Sequence, residues 1–245
     1  MRLEKRTVFV TGGAKRIGSQ LARALAQRGA NLVINYRYSS ADAQAVVQEL
    51  RRVGVDALAV PGDVSNANDV QRMVAGAMER FGRIDVLINN AAVYFKTPFA
   101  QLTETEWDLT VDINLKGSFL CAKAVAGHML AQGEGKIINF ADWAGMRPYP
   151  EYLPYCVSKA GVIALTQALA QELAPHVQVN CIAPGPILLP EDMDEDERQR
   201  VIRATPLKRI GSPEDIVQAV LFLIEGTDFA TGGTYLIDGG RFVAS

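Results

Sequence analysis

Short apolar runs alternate along the chain with longer amphipathic segments. Seven runs are short, β-branched and bounded by Gly, Asp, Asn or Pro, which predicts strands at residues 7–11, 31–36, 56–60, 84–88, 135–139, 177–182 and 233–237. The segments between the first four runs have apolar residues at helical spacing. They predict buried helix faces made of Ile17, Leu21 and Leu25, of Val46, Val47 and Leu50, and of Val70, Met73, Val74 and Ala77. The alternation predicts βαβ units and a parallel sheet with helices on both faces.

The organisation of the chain indicates one unit. No linker rich in Pro, Gly or Ser and no repeat divides the 245 residues, so we expect a single doubly wound α/β domain. Residues 186–212 depart from the alternation, because prolines are followed by a run of acids. Two interpretations stay open for them: a solvated helix face after an irregular loop, which we favour, or a lid over a pocket.

Composition narrows the classes of function. Hydrophobic residues make up 49% of the chain and charged residues 21%, which predicts an ordered core. A net charge of −2 without a basic block gives no reason to expect a nucleic-acid partner. Cys121, Cys156 and Cys181 lie far apart in the sequence, so we expect reduced thiols and no metal site. The apolar run before Thr11 is too short for a membrane span, and we expect a cytoplasmic protein.

The stretch "TGGAKRIG", from Thr11 to Gly18, lies between the first predicted strand and the first predicted helix. Gly12 and Gly13 permit a tight turn, and Gly18 lets the helix pack close to the sheet. Backbone N–H groups at the start of such a helix face a pyrophosphate. The stretch therefore predicts a dinucleotide site.

The end of the second strand indicates which dinucleotide binds. Sites for NAD usually carry an acid about 20 residues past the glycines, whereas residues 19–41 contain none. Arg37 and Ser39 instead suit the 2′-phosphate of NADPH, with charge added by Lys15 and Arg16. The alternative is that Arg16 and Arg37 are ordinary exposed arginines. Asp63, after the third strand, is expected to accept a hydrogen bond from adenine, to lie at the start of the next helix, or both.

The stretch "YCVSK" places Tyr155 and Lys159 four positions apart on one helix face, directly after the fifth strand and its loop. A free phenol has a pKa of about 10. An adjacent ammonium lowers that pKa, so we expect Tyr155 to donate a proton and Lys159 to lower its pKa and hold the nicotinamide ribose.

The motifs "TGxxxxxG", "NNAA", "DINLKG", "YxxxK" and "NCIAPGPI" resemble those of the short-chain dehydrogenase/reductases in order and spacing over essentially the whole chain. The resemblance implies a Rossmann-like fold with a seven-stranded, mostly parallel sheet, a homotetramer or homodimer, and a catalytic tetrad of which Asn114, Tyr155 and Lys159 are present. It implies cofactor contacts from Gly12, Lys15, Arg16, Ile17, Gly18, Tyr36, Arg37, Ser39, Asp63, Val64, Asn90, Ala91, Ala92, Tyr155, Lys159, Pro184, Gly185 and Ile187.

Asp142 stands where most of that family has the serine of the tetrad. A serine hydroxyl can donate to a substrate oxygen, whereas an ionised carboxylate only accepts. Asp142 therefore suits a substrate with N–H groups, such as a pterin. Together with Arg16 in the glycine loop, this resembles the pteridine reductase branch, in which Tyr94 would stack on the pterin and Arg16 would contact it. The alternatives are that Asp142 caps a loop and Tyr94 is a core aromatic residue.

The expected function is an NADPH-dependent reductase of the C=N bonds of dihydropterin or dihydrofolate. Residues 1–135 would hold the cofactor, and residues 136–245 would supply substrate contacts and catalysis. The predicted catalytic residues are Asp142, Tyr155, Lys159 and Asn114, and the predicted substrate contacts are Arg16, Tyr94, Asp142 and Tyr155. One alternative is a carbonyl reductase acting on 3-oxoacyl thioesters or sugars, and a remote one is a non-catalytic NADP-binding sensor or scaffold.

Overall fold

The computed structural model describes residues 1–189 and 193–244. In that part of the chain, seven strands form one parallel sheet: β1 Thr7–Val10, β2 Asn31–Tyr36, β3 Ala57–Pro61, β4 Val86–Asn89, β5 Gly135–Phe140, β6 Val177–Pro184 and β7 Thr234–Ile237. The strand order is β3-β2-β1-β4-β5-β6-β7. The predicted strands and the doubly wound fold are confirmed, and every strand pair is parallel.

Eight α-helices lie in the same described ranges: α1 Arg16–Gln27, α2 Ser40–Arg52, α3 Ala67–Phe81, α4 Glu104–Val111, α5 Gly117–Gln132, α6 Leu153–Glu172, α7 Glu195–Ala204 and α8 Pro213–Leu221. Successive strand residues point to opposite faces of the sheet. Val8 and Val10 therefore pack in one core with α1, α2 and α8, while Phe9 packs in the other with α3 and α5. The predicted apolar faces of α1, α2 and α3 are buried, apart from the partly buried Ile17.

The sheet has a switch point between two central strands. β1 pairs with β2 on one side and with β4 on the other, so the connections leave the carboxyl ends of β1 and β4 in opposite directions. Ligands in open α/β sheets bind in the crevice at such a point. The loops after β1, β4, β5 and β6 surround this crevice.

Two helical segments near the crevice have special features. α4 continues into α5 through a π-helical turn, Asp112–Lys116, which carries Asn114, and such turns are frequent at functional sites. α6 is long and apolar enough to pass as a membrane span by length and composition, but it packs against β5 and β6 and carries Tyr155 and Lys159.

The predicted lid at residues 186–212 includes residues 190–192, which lie outside the described residues. α7, within the described part, has no buried residue, as expected of a solvated helix.

The small residues Ala164 and Ala168 on α6 are exposed. The predicted homotetramer or homodimer stays a prediction.

Candidate active site

A cavity of about 1130 Å³ opens at the carboxyl ends of the strands. Ligand pockets usually measure roughly 300–1,000 Å³, so this cavity has room for a dinucleotide and a second molecule. The predicted site residues in its wall are Gly12, Lys15, Arg16, Ile17, Gly18, Arg37, Asp63, Val64, Asn90, Ala91, Ala92, Tyr94, Asp142, Tyr155, Lys159, Pro184, Gly185 and Ile187.

Three predicted residues are not part of the described cavity wall. The Tyr36 hydroxyl accepts a hydrogen bond from Ser40 (3.3 Å). Ser39 is the residue before α2. Asn114 is buried beneath the wall, with 1% of its surface exposed.

The glycine loop fits a pyrophosphate. Asn66, Thr103 and Ser212 cap α3, α4 and α8 through their side chains, whereas Lys15 makes no such bond to α1 in the described structure. The first turn of α1 also has no acidic residue. Its N–H groups lack a helical partner and border the cavity, which is the arrangement that binds an anion.

Arg16 has a φ of 50°, in the left-handed region that disfavours side chains. Its Nη2 donates to the carbonyl oxygen of Leu188 (2.7 Å) and thus connects the glycine loop to the segment after β6. Strain at a non-glycine residue costs on the order of 1–3 kcal/mol and is concentrated at functional sites. This contact places the Arg16 side chain across the cavity.

The predicted 2′-phosphate end carries paired charges. Arg37 lies 3.0 Å from Asp63 and 4.7 Å from the ring centroid of Tyr38, and Lys15 lies 3.0 Å from Asp42. Asp63 also accepts hydrogen bonds from the backbone and side chain of Ser65. The structure thus assigns Asp63 two protein partners.

Asp142 lies at the carboxyl end of β5, between two donors. The Tyr155 hydroxyl donates to its Oδ2 (2.9 Å), and the Ala144 N–H donates to its Oδ1 (2.8 Å). The carboxyl group therefore caps a short 3₁₀ turn and contacts Tyr155 at once. The two interpretations of Asp142 do not exclude each other.

Burial is the main cause of the pKa shifts of Asp142, Tyr155 and Lys159. It raises the pKa of Asp142 to about 6, since desolvation disfavours the charged form. Burial, with the Asp142 carboxyl group, also raises the pKa of Tyr155 well above its usual value. The pKa of Lys159 is lowered by burial.

The raised pKa of Tyr155 differs from the lowered pKa expected beside Lys159. The Lys159 ammonium donates to the carbonyl oxygen of Phe140 (2.8 Å) and lies 5.6 Å from the Tyr155 ring centroid. It therefore approaches the face of the ring, while the phenol hydroxyl contacts a carboxyl group. That partner and the burial, rather than the ammonium, set the direction of the Tyr155 pKa.

Asn114 joins two walls of the cavity. Its Oδ1 accepts from the N–H of Val93 (2.8 Å), and its Nδ2 donates to the carbonyl of Val93 (3.1 Å) and to Ser158 Oγ (3.1 Å). Ser158 in turn donates to the carbonyl of Tyr155 (2.7 Å). The chain after β4, which carries Tyr94, is thereby fixed against α6.

An aromatic wall lies beside the Tyr155 ring. Tyr94 stacks on Tyr152, with ring centroids 4.5 Å apart, and meets Tyr155 edge-on at 4.8 Å. Tyr149 packs between Tyr152 and Trp143. The sequence predicted only Tyr94 of this wall, although tyrosines at three-residue intervals in "YPEYLPY" are a signal for the others.

A family model described as short chain dehydrogenase matches residues 6–201. The chain belongs to the short-chain dehydrogenase family. Two similar proteins are the 3-oxoacyl-[acyl-carrier-protein] reductases of Synechocystis sp., 40% identical over 244 residues with 97% of each chain covered, and of Staphylococcus epidermidis, 36% identical over 242 residues with 97% of this chain and 99% of the relative covered.

A similar protein of known structure has the same fold. The gluconate 5-dehydrogenase of Burkholderia cenocepacia, in complex with NADP and tartrate, is 32% identical, with a TM-score of 0.94 over 100% of this chain and 98% of the other. The predicted family is therefore confirmed. The curated relatives agree with the carbonyl-reductase alternative rather than with the pteridine reductase branch.

Gly18→Ala is expected to destabilise this short-chain dehydrogenase. A Cβ there would lie 2.4 Å from the carbonyl oxygen of Gly12 and 2.9 Å from the Cα of Gly13, so backbone must move. Overpacking of this kind costs roughly 1–3 kcal/mol in the free energy of unfolding, measurable by urea denaturation.

Gly76→Ala in α3 is the matched control. Its Cβ would meet no atom within 4 Å in the described structure. A helix-interior Gly→Ala change stabilises by roughly 0.5–1 kcal/mol. Equal unfolding free energies for both variants would contradict the close approach at Gly18.

Proposed function

We propose that this member of the short-chain dehydrogenase family is an NADPH-dependent reductase that transfers hydride to a carbonyl group of a small molecule. Membership of the family makes the chain an oxidoreductase. The observation that carries the proposal is the position of the Tyr155 hydroxyl, which shares one cavity with the uncapped start of α1. A proton donor and a dinucleotide site in one cavity are what carbonyl reduction requires.

The proposed cofactor contacts follow the cavity wall. The first turn of α1 would hold the pyrophosphate, and Arg37 with Lys15 would hold the 2′-phosphate. Lys159 would donate to the nicotinamide ribose. NADPH supplies the hydride when bound. The complex of the similar gluconate 5-dehydrogenase with NADP supports this choice of dinucleotide.

Arg37→Gln is expected to raise the Kd for NADPH by about 10-fold, because a charge-assisted hydrogen bond is worth roughly 1.5–3 kcal/mol and Arg37 is partly solvated. The Kd for NADH, which has no 2′-phosphate, should stay within about twofold. Both Kd values are measured by titrating the protein with each dinucleotide and following the quenching of its fluorescence. An equal loss for the two dinucleotides would show that Arg37 does not bind the 2′-phosphate.

The proposed proton transfer uses Tyr155. Its hydroxyl now donates to Asp142, so it must turn toward the oxygen of an incoming carbonyl to protonate it. A protonated Asp142 can donate to the same oxygen, whereas an ionised one only accepts. With a pKa of about 6, Asp142 holds its proton in mildly acidic solution.

The C=N bond of a pterin is the second candidate acceptor. The observation that favours it is the pair formed by the Asp142 carboxyl group and the Tyr94–Tyr152 stack at the cavity wall. A carboxylate accepts hydrogen bonds from ring N–H groups, and a flat heterocycle gains on the order of 1 kcal/mol from stacking. The relatives lend this acceptor no support.

One assay separates the two acceptors. The oxidation of NADPH is measured with acetoacetyl thioester, dihydrobiopterin and dihydrofolate in parallel. Turnover of the thioester supports carbonyl reduction, and turnover of the pterins alone supports the second candidate. Binding of NADPH without turnover of any acceptor would favour the sensor or scaffold interpretation.

A further inference from the structure

Arg241 follows β7 and lies in the wall of the same cavity. Its guanidinium carbon is 5.6 Å from the ring centroid of Trp143. Trp143 is the neighbour of Asp142 in the chain, so the arginine lies at the substrate end of the cavity rather than at the glycine loop. The proposed reduction leaves this residue without a role.

A tight turn presents Arg241 to the cavity. Gly239 and Gly240 have φ values of 63° and 85°, which disfavour any side chain. The two carboxylate oxygens of Asp238 accept from the N–H groups of Gly240 (2.9 Å) and Phe242 (2.7 Å). The backbone on both sides of Arg241 is thus held by one side chain.

Arg147 holds the chain that follows. Its Nη1 donates to the carbonyl oxygens of Arg241 (3.4 Å) and Phe242 (3.2 Å), and also to that of Ala244. Arg147 lies four residues after Trp143 in the chain. The turn that carries Arg241 is therefore attached to the segment that carries Asp142 and Trp143.

The charge of Arg241 is not neutralised by the described part of the chain. Three other cations of the cavity wall have carboxylate partners: Lys15 with Asp42, Arg37 with Asp63, and Lys96 with Glu151. Within residues 1–189 and 193–244, the Arg241 guanidinium makes neither a salt bridge nor a hydrogen bond. Among the described residues, its N–H groups therefore have no acceptor.

We propose that Arg241 binds an anionic group, a carboxylate or a phosphate, carried by the substrate. A guanidinium binds either group through two parallel N–H bonds. The Trp143 ring, with its centroid 5.6 Å from the guanidinium carbon, holds the cation near the substrate end of the cavity. The proposal rests on the proposed function, since it names the class of substrate that the same site reduces: an oxo compound with an anionic group distant from the reacting carbon.

The test compares oxo acids with their neutral esters. Wild type and Arg241→Gln are assayed with 3-oxobutanoate, 4-oxopentanoate and 5-oxohexanoate and with the three methyl esters. The series varies the distance between anion and carbonyl. The best acid should lose about 10- to 100-fold in kcat/KM through a higher KM, as expected for a hydrogen bond to a charged group, while the esters should change by less than about twofold.

A second pair of substrates serves the pterin candidate. Dihydrofolate carries carboxylates and dihydrobiopterin does not, so Arg241→Gln should impair turnover of the first alone.

A phosphate-bearing acyl thioester, compared with its dephosphorylated form, distinguishes a phosphate from a carboxylate as the natural anion. Arg241→Lys should restore part of the acid preference, because it keeps the charge but loses the bidentate geometry.

Arg52→Gln, at an exposed arginine at the end of α2, is the control for the loss of one positive charge. Equal losses on acids and esters, or no loss on any acid, would overturn the assignment of Arg241. If no compound is reduced, the proposed function fails instead. The assignment of Arg241 is then decided by calorimetry, in which 4-oxopentanoate and inorganic phosphate are titrated into wild type and into Arg241→Gln. Equal binding to the two proteins, or binding to neither, overturns the assignment.

Discussion

Tyr155→Phe is expected to lower kcat by roughly 10²- to 10⁴-fold, the range of a lost general acid. The affinity for NADPH should stay within about twofold, because the phenol hydroxyl faces Asp142 and not the glycine loop. Phenylalanine keeps the ring that meets Tyr94 edge-on, so the wall stays intact. Steady-state rates and fluorescence titration with NADPH give the two quantities.

Tyr235→Phe, in β7, is the matched control, because it removes a phenol hydroxyl that does not line the described cavity. It should leave kcat unchanged. A Tyr155→Phe enzyme with near-normal kcat would assign the proton to another donor, and Asp142 would be the first candidate, since it is the acid in contact with Tyr155.

Asp142→Ser is expected to change the pH dependence of carbonyl reduction. The pKa of Asp142 is raised to about 6 by burial, so the carboxyl group is protonated below that pH and ionised above it. Only the protonated form donates to a carbonyl oxygen, and the wild-type kcat/KM should therefore fall as the pH rises through about 6. Serine donates at every pH, so the variant should exceed wild type by about 10²-fold at pH 8, the worth of one such donor.

The sign of this effect identifies the acceptor. A pterin presents N–H groups to the ionised carboxylate, so on that substrate Asp142→Ser should lower the rate above pH 6. The profile of kcat/KM from pH 5 to pH 9, measured with each acceptor, separates the two. A wild-type profile that is flat around pH 6 and stays flat in the variant would show that the charge of Asp142 does not control the rate.

The local sequence pattern was sufficient to predict the strands and helices and much of the cavity wall. The alternation of β-branched runs with helical spacing predicted β1 to β7, because strand and helix periodicities differ and each is visible within a short window. The cavity wall was predictable where its residues lie at strand ends, as Asp63, Asn90 and Pro184 do, because the carboxyl ends of parallel strands share one edge of the sheet.

Contacts between distant segments were not visible in that pattern. The sequence predicted that Lys159 lowers the Tyr155 pKa, since the two are four residues apart on α6. The folded chain instead buries Tyr155 against Asp142, and burial raises the pKa. Desolvation depends on all the segments that exclude water from a group, so the spacing of two residues in the sequence does not predict it.

The sequence by itself determined the doubly wound fold, the glycine loop and the placement of Tyr155 and Lys159 on one helix, because each is visible in patterns of residues close together in the chain. Only the tertiary structure decided the proton partner of Tyr155, the aromatic wall beside it and the position of Arg241. Those features arise where the loop after β4, the loop after β5 and the turn after β7 converge. Packing of the whole sheet, rather than local spacing, sets how these segments meet.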